Sequence, residues 1–438
     1  MSLSLVSSRA PRTASTARPV ARRVARRDPA VDIARAVCLV VVVLLHALMV
    51  GVSVGASGPV LENAMEGWPG FAALSWVVQV MPLFFLLGGF SAHTQWERMR
   101  ERGAGYGDYL AGRMRRLFAP AAAALLAVAV LLSVLSLAGV PGSLVAVAGF
   151  RMSQPLWFLG VYVLCTAAVP PLVALHRRAP LLGLALPAAL AAAIDVLRGS
   201  TGVPAIGFAN LLFVWLTVQQ LGFWLASGRL DGVRRRTLGM LAAAAAVLLA
   251  LLCAAGVWSF DMLANLNPPT TALLLLAVAQ LALFRLVAPT LRVVAGLPLV
   301  ERAVGWISAR AMTVYLWHMP VLIVLAGALL VSGAGLPRPL SGAWWLARPA
   351  WLVVVLIAVA GVVAVAGRFE TRSPATPSTS TSPSASPRAL LSAAAGAGGV
   401  LLVLLAGASI ASWVAAAGLA FLALRILRSS DMPGAVTR

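Results

Sequence analysis

An all-α, polytopic integral membrane protein is the fold the sequence predicts, and three observations predict it. Apolar runs of about 20 residues recur along the chain, each long enough as a helix to cross ~30 Å of hydrocarbon. Of the 438 residues, 61% are hydrophobic and only 11% are charged. A soluble domain carries roughly a quarter charged residues. Bilayer hydrocarbon offers backbone N–H and C=O groups no water, so runs of this kind close their hydrogen bonds internally, as helices.

The elements follow in order. Residues 1–30 form a basic N-terminal tail; the first 27 are rich in Arg, Ser and Ala and contain no acid, a composition shared by transit peptides and by tails ahead of a first span. Core helices are expected over about 33–55, 71–93, 116–139, 155–175, 180–197, 205–227, 237–257, 270–288, 308–332 and 348–367, ten spans inside a unit of residues 31–370. A Ser/Pro/Thr-rich linker, residues 371–388, has no composition for a packed core. Residues 389–438 are Ala/Gly-rich, with room for two further helices at about 389–407 and 409–427 that pack on the core or on another chain.

The net charge is +21, and all 34 basic residues are arginine, a usage that points to a high-GC, bacterial coding sequence. On a soluble domain such charge would indicate nucleic acid. Here it lies between apolar runs, so the positive-inside bias accounts for it and no nucleic acid is expected as a partner. Alternate connections hold Arg98, Arg100, Arg102, Arg113, Arg115 and Arg116, then further arginines near 177, 235, 292 and 368. The intervening connections hold Arg151, Arg198 and Arg338, one each, with Glu62, Glu66 and Asp261. Ten core spans with both ends cytoplasmic satisfy this alternation. Cys38, Cys165 and Cys253 stand singly within spans, and the four histidines show no HxxxH or HExxH spacing, so neither set predicts a metal site.

Ionisable groups inside a span are costly and therefore mark candidate sites. "DIARAVCLVVVVLLH", 32 to 46, places Asp32, Arg35 and His46 in one such run. Eleven residues are close to three helical turns, so Arg35 and His46 fall about 20° apart on one face, separated by roughly 16 Å of rise. Asp32 and Arg35 read either as an interfacial ion pair or as part of a site. His46 lies too deep to snorkel; it is either bonded to a neighbouring helix or functional. A second focus is "SARAMTVYLWHMP", 308 to 320, where Tyr315 and His318 share a face at i, i+3. An aromatic belt is the bland alternative, preferred for Trp317. A third, "GRMRRLFAP" at 112 to 120, sets Arg113 and Arg116 one turn apart, either as positive-inside charge or as a phosphate site suited to guanidinium forks.

These segments together resemble the membrane-bound acyltransferase family 3. The arginine and histidine of the first span have ten residues between them, just after a small acidic motif, as in that family. "PLFFLLGGF" (82–90) is similar to its Phe-Phe-x-x-Ser-Gly-Phe segment, with Gly88 in the serine position. "RMRRLFAP" (113–120), "PLWFLGVYVL" (155–164) and "TVYLWHMPV" (313–321) resemble its Arg-x-x-Arg, Trp-Phe/Tyr-Leu and Tyr-Leu-x-His segments, in order. "NLNPPTTAL" (265–273) is similar to a segment of actinobacterial members. The resemblance covers about residues 28–370, and no soluble hydrolase-like domain follows it, unlike in some relatives.

The resemblance implies transfer of an acyl group, acetyl by family default, from acyl-CoA to a hydroxyl of a glycan, lipid or small molecule. Acyl-CoA would be a donor substrate, with no permanently bound cofactor. In that reading His46 is the general base, because a neutral imidazole suits proton abstraction near neutral pH, with a transient acyl-histidine as a variant. Arg35, oriented by Asp32, would bind the donor or stabilise negative charge; Arg113 and Arg116 would hold donor phosphate. Tyr315 and His318, with Trp157 of the "PLWFL" segment, would line the acceptor side. A transporter or flippase, with His46 and Arg35 lining the substrate path, is the alternative class; no internal repeat is visible to support it.

Overall fold

The computed structural model describes residues 28–55, 58–332, 336–371 and 385–428. It is a helical bundle, and among the described residues twelve helices are long and apolar enough to cross a membrane. Most of the N-terminal tail and of the Ser/Pro/Thr-rich linker falls outside the described residues.

Helix α1 (Pro29–Met49) starts on Pro29, whose fixed φ suits the first turn, with the Asp28 side chain accepting from the Ala30 N–H at 3.0 Å. The expected first span, 33–55, is too long. At 21 residues α1 already rises about 31 Å, enough for the hydrocarbon. The alternating Val/Gly/Ser stretch after it turns into a hairpin, β1 (Val50–Gly55) antiparallel to β2 (Gly58–Asn63), with Val50 opposite Asn63. This is the two-stranded exception to an otherwise helical chain among the described residues.

The second span is interrupted. α2 (Phe71–Val78) stops before α3 (Met81–Glu101), because Pro82 has no N–H to bond the preceding turn and its ring crowds that turn's carbonyl. A carbonyl at the break is bonded from elsewhere, Gln280 Nε2 donating to that of Gln79 at 2.8 Å, while the Gln79 side chain donates to the Met262 carbonyl at 3.1 Å. α4 (Tyr106–Leu137) is continuous, and Pro155 separates α5 (Gly142–Ser153) from α6 (Leu156–Arg178). After α7 (Pro180–Thr201), a 3-10 turn (Pro204–Ala209) leads into α8 (Asn210–Ala226).

α9 (Arg235–Ala254) and α10 (Ala272–Ala295) flank a polar loop. There Asp195 accepts from both the N–H and the hydroxyl of Thr271 at 2.7 Å, and from Asn210 at 2.9 Å. The "NLNPPTTAL" segment thus joins α7, α8 and α10. The ninth expected span, 308–332, begins too early: α11 (Pro298–Ala309) is a separate helix, and α12 (Ala311–Val331) crosses alone. α13 (Gly342–Ala366), the single turn α14 (Arg368–Thr371), α15 (Ala385–Leu405) and α16 (Ile410–Arg428) complete the chain. α15 and α16 pack against α4, and α15 also against α6, so they belong to the same bundle.

Contacts tie the helix ends into two opposite faces. At one, Arg292 of α10 grips Asp28 through two bonds of 2.7 and 3.1 Å, and Arg177 approaches Glu97 at 3.9 Å. This is called the arginine end below. At the other, Trp351 donates to the Ala47 carbonyl at 2.8 Å, beside the hairpin. In between, α3 and α8 cross at van der Waals contact of their backbones. A Cβ on Gly222 would overlap the Leu86 carbonyl, and one on Gly89 the Gln219 carbonyl, so glycine is required at both.

Candidate functional site

A cavity of about 160 Å³ opens between α1, α3, α4, α6, α11, α12 and α14. From α1 it takes Arg35, Leu39 and Val42, spaced i, i+4, i+7, which is one stripe of the helix. From α4 it takes Arg113, Arg116 and Leu117, and from α6 Phe158 and Tyr162. Tyr315 and Met312 come from α12, and Glu370 from α14.

The three arginines differ in depth. Arg116 is exposed, whereas Arg113 and Arg35 are half-buried. Arg35 lies over the Phe84 ring and Arg113 over the Tyr109 ring, each 5.7 Å from the centroid. The Nε of Arg35 and the Nε of Arg113 are buried, with no hydrogen-bond partner among the described residues. Buried donors without acceptors are uncommon, and the lining carries three cations, two of them with such a donor, against one acid. Glu370 is the one acid in the lining, and its bonds run to protein: 2.9 Å from the Thr313 N–H, 2.7 Å from its hydroxyl and 3.3 Å from the Met312 N–H. It satisfies the orphan donors at the start of α12 and complements that helix's positive end.

One turn beyond Val42, on the same stripe, stands His46. Its Nδ1 is 2.8 Å from the Val42 carbonyl. A carbonyl only accepts, so Nδ1 carries the proton and, in the neutral ring, Nε2 carries the lone pair. His318 repeats the arrangement on α12: Nδ1 is 2.6 Å from the Tyr315 carbonyl, and its buried Nε2 has no partner among the described residues. The two rings meet with centroids 5.0 Å apart, tilted by 58°. Both carbonyls that orient them belong to residues lining the cavity. The imidazoles themselves are not in that lining; they form the layer immediately behind it.

Tyr315 connects cavity and pair. Its hydroxyl donates to the Pro155 carbonyl, at the break between α5 and α6, and its ring lies 4.8 Å from Phe158 and 6.0 Å from His318. Gly88 lies beside the cavity wall: a Cβ there would have one neighbour within 4 Å, the Tyr162 ring edge at 3.9 Å.

The structure therefore gathers Arg35, Arg113, Arg116 and Tyr315 around one cavity and sets His46 and His318 together behind it. Asp32, in the first turn of α1, and Trp157 do not line the cavity; Trp157 stacks on Trp215 at 5.9 Å. Sequence reasoning missed Glu370, Phe158 and Tyr162. Glu370 carried a faint signal, as a lone acid between Arg368 and Arg372. A second, larger space of about 360 Å³ lies between α4, α12 and α13; its lining is apolar and includes Trp317. Among the described residues no three His, Cys, Asp or Glu side chains come together as metal ligands.

Helices long and apolar enough to span a membrane, around a cavity lined by three arginines and backed by paired imidazoles, define a polytopic membrane protein. The family model described as an acyltransferase domain, family 3, matches residues 28–367, and the chain belongs to that family. It is a membrane acyltransferase. No curated protein and no solved structure matches the chain.

Proposed function

We propose that the protein transfers an acyl group, acetyl by preference, from acyl-CoA to a hydroxyl of a glycan, lipid or small molecule, with His46 as general base. The observation behind this reading is the tautomer that Val42 imposes on His46. With Nδ1–H committed to a carbonyl, Nε2 of the neutral ring carries the lone pair that takes a proton. The arginine end is the cytoplasmic one, where acyl-CoA resides.

Exposed Arg116 and deeper Arg113 hold the donor diphosphate by guanidinium forks. A space of about 160 Å³ is smaller than the roughly 300–1,000 Å³ that encloses a drug-sized ligand, so it admits only the reactive end of the donor. Arg35, with Asp32 one turn before it, stabilises the negative charge that develops on the thioester oxygen. The acceptor hydroxyl gives its proton to His46 Nε2 while its oxygen bonds to the thioester carbon. The C–S bond then breaks, and the leaving thiolate takes the proton back from the imidazolium. His318 and Tyr315 flank the acceptor, and Trp157 supports that wall through the aromatic stack with Trp215.

Membranes containing the protein, supplied with labelled acetyl-CoA, are expected to pass label to a hydroxylated acceptor as an ester. His46→Ala should reduce this by about 10² to 10⁴, the usual contribution of a general base. Equal transfer by parent and variant would refute the assignment.

A further inference from the structure

Two helices, α15 and α16, lie beyond the residues matched by the family model, yet they pack on the helix that carries two of the cavity's arginines. α4 presents opposite faces to the two neighbours. At 100° per residue, Arg113, Arg116 and Leu117 cluster on one side, and Arg115 and Phe118 centre about 180° away. The first set lines the cavity. The second set meets the hairpin of α15 and α16.

The meeting is specific at two points. Arg115 Nη2 donates to the Leu427 carbonyl at 2.8 Å, in the last turn of α16, where carbonyls lack intrahelical donors and the helix end favours a cation. The Phe118 ring, 1% exposed, stands against Gly396 of α15, where an added Cβ would fall inside the ring. The hairpin is itself braced, by Ser392 donating to the Ala423 carbonyl at 2.9 Å. On its other side Val400 reaches α6 at Gly160, 3.4 Å from where a Cβ would sit, next to the cavity residues Phe158 and Tyr162.

We infer that the α15–α16 hairpin is a positioning element for the donor site: by fixing the rotation of α4 through Arg115 and Gly396, it sets where Arg113 and Arg116 enter the cavity. Arg115 and Gly396 are positioning residues, since neither lines the cavity. The inference rests on the reading of Arg113 and Arg116 as the donor-phosphate site.

The test uses the full chain, purified in detergent, with CoA as the probe by calorimetric titration, and label transfer in membranes at saturating acetyl-CoA. Arg115→Ala and Gly396→Ala are expected to weaken CoA binding about tenfold, because small misplacement of binding groups has large effects, and to leave transfer at saturation within about twofold of the parent. Arg115→Lys, which keeps a cation able to reach Leu427, restores binding; Gly396→Ala changes no charge and so separates geometry from electrostatics. If Gly396→Ala fails to fold, Arg115→Ala and Arg115→Lys decide. Unchanged CoA affinity in Arg115→Ala alongside weakened affinity in Arg113→Ala overturns the inference and leaves the donor site standing. Unchanged affinity in Arg113→Ala removes the donor reading itself. In Arg115→Ala, a loss of saturated transfer with CoA affinity intact marks a merely structural hairpin and overturns the inference too.

Discussion

His46 of α1 and His318 of α12 face each other with ring centroids 5.0 Å apart, each oriented by the carbonyl of a cavity-lining residue. The pairing makes pH dependence an early test. A base must be neutral to accept a proton, so kcat/KM should fall as pH is lowered, with a slope of about one decade per pH unit on the acidic side. A pH series with acetyl-CoA as donor measures it. A flat acidic side would show that no imidazole titrates in the rate-determining step.

Arg116 and Arg35 should separate kinetically. Arg116 is exposed at the cavity mouth, so Arg116→Ala should raise the donor KM with little change in kcat. Arg35 is deeper, beside the Phe84 ring, so Arg35→Ala should lower kcat, by about 10² if it faces the developing oxyanion. Steady-state kinetics at varied acetyl-CoA distinguish the two; the reverse pattern would exchange their roles.

Glu370 accepts three hydrogen bonds at the start of α12, the helix of Tyr315 and His318. Glu370→Ala leaves buried donors unpaired, a loss on the order of 1–3 kcal/mol. Thermal unfolding in detergent should show a lowered midpoint and, because α12 loses its anchor, reduced transfer. Glu370→Gln keeps one acceptor oxygen and should recover part of both. An Ala variant as stable as the parent would remove Glu370 from this role.

The glycines of "LLGGF" make opposite predictions. Gly89 meets the Gln219 carbonyl, so Gly89→Ala should destabilise by about 1–3 kcal/mol through overpacking. Gly88 has open space beside Tyr162, so Gly88→Ser should fold with no measurable loss. Side-by-side thermal unfolding of the two variants checks the helix crossing directly.

Much of the fold was legible because bilayer burial writes itself as length: twelve apolar runs became twelve candidate spans, including the two after residue 385. The shared face of Arg35 and His46 was legible too, since helical periodicity is local. The ends were not. A run of Val, Gly and Ser is as apolar in a strand as in a helix, so β1 merged into the expected first span. Breaks at Pro82 and Pro155 depend on partners such as Gln280 and Tyr315, which bond across 201 and 160 positions. The contact of His46 with His318, and the arrival of Glu370 at the start of α12, are products of helix packing and leave no periodic trace.

The central claim is that His46 removes the acceptor's proton, and the most direct measurement is single-turnover acyl transfer from labelled acetyl-CoA by parent and His46→Ala in the same membranes, matched for folded protein. Normal CoA binding, with transfer slowed by about 10² to 10⁴, is expected of the variant. Transfer at the parental rate, with CoA binding unchanged, would contradict it.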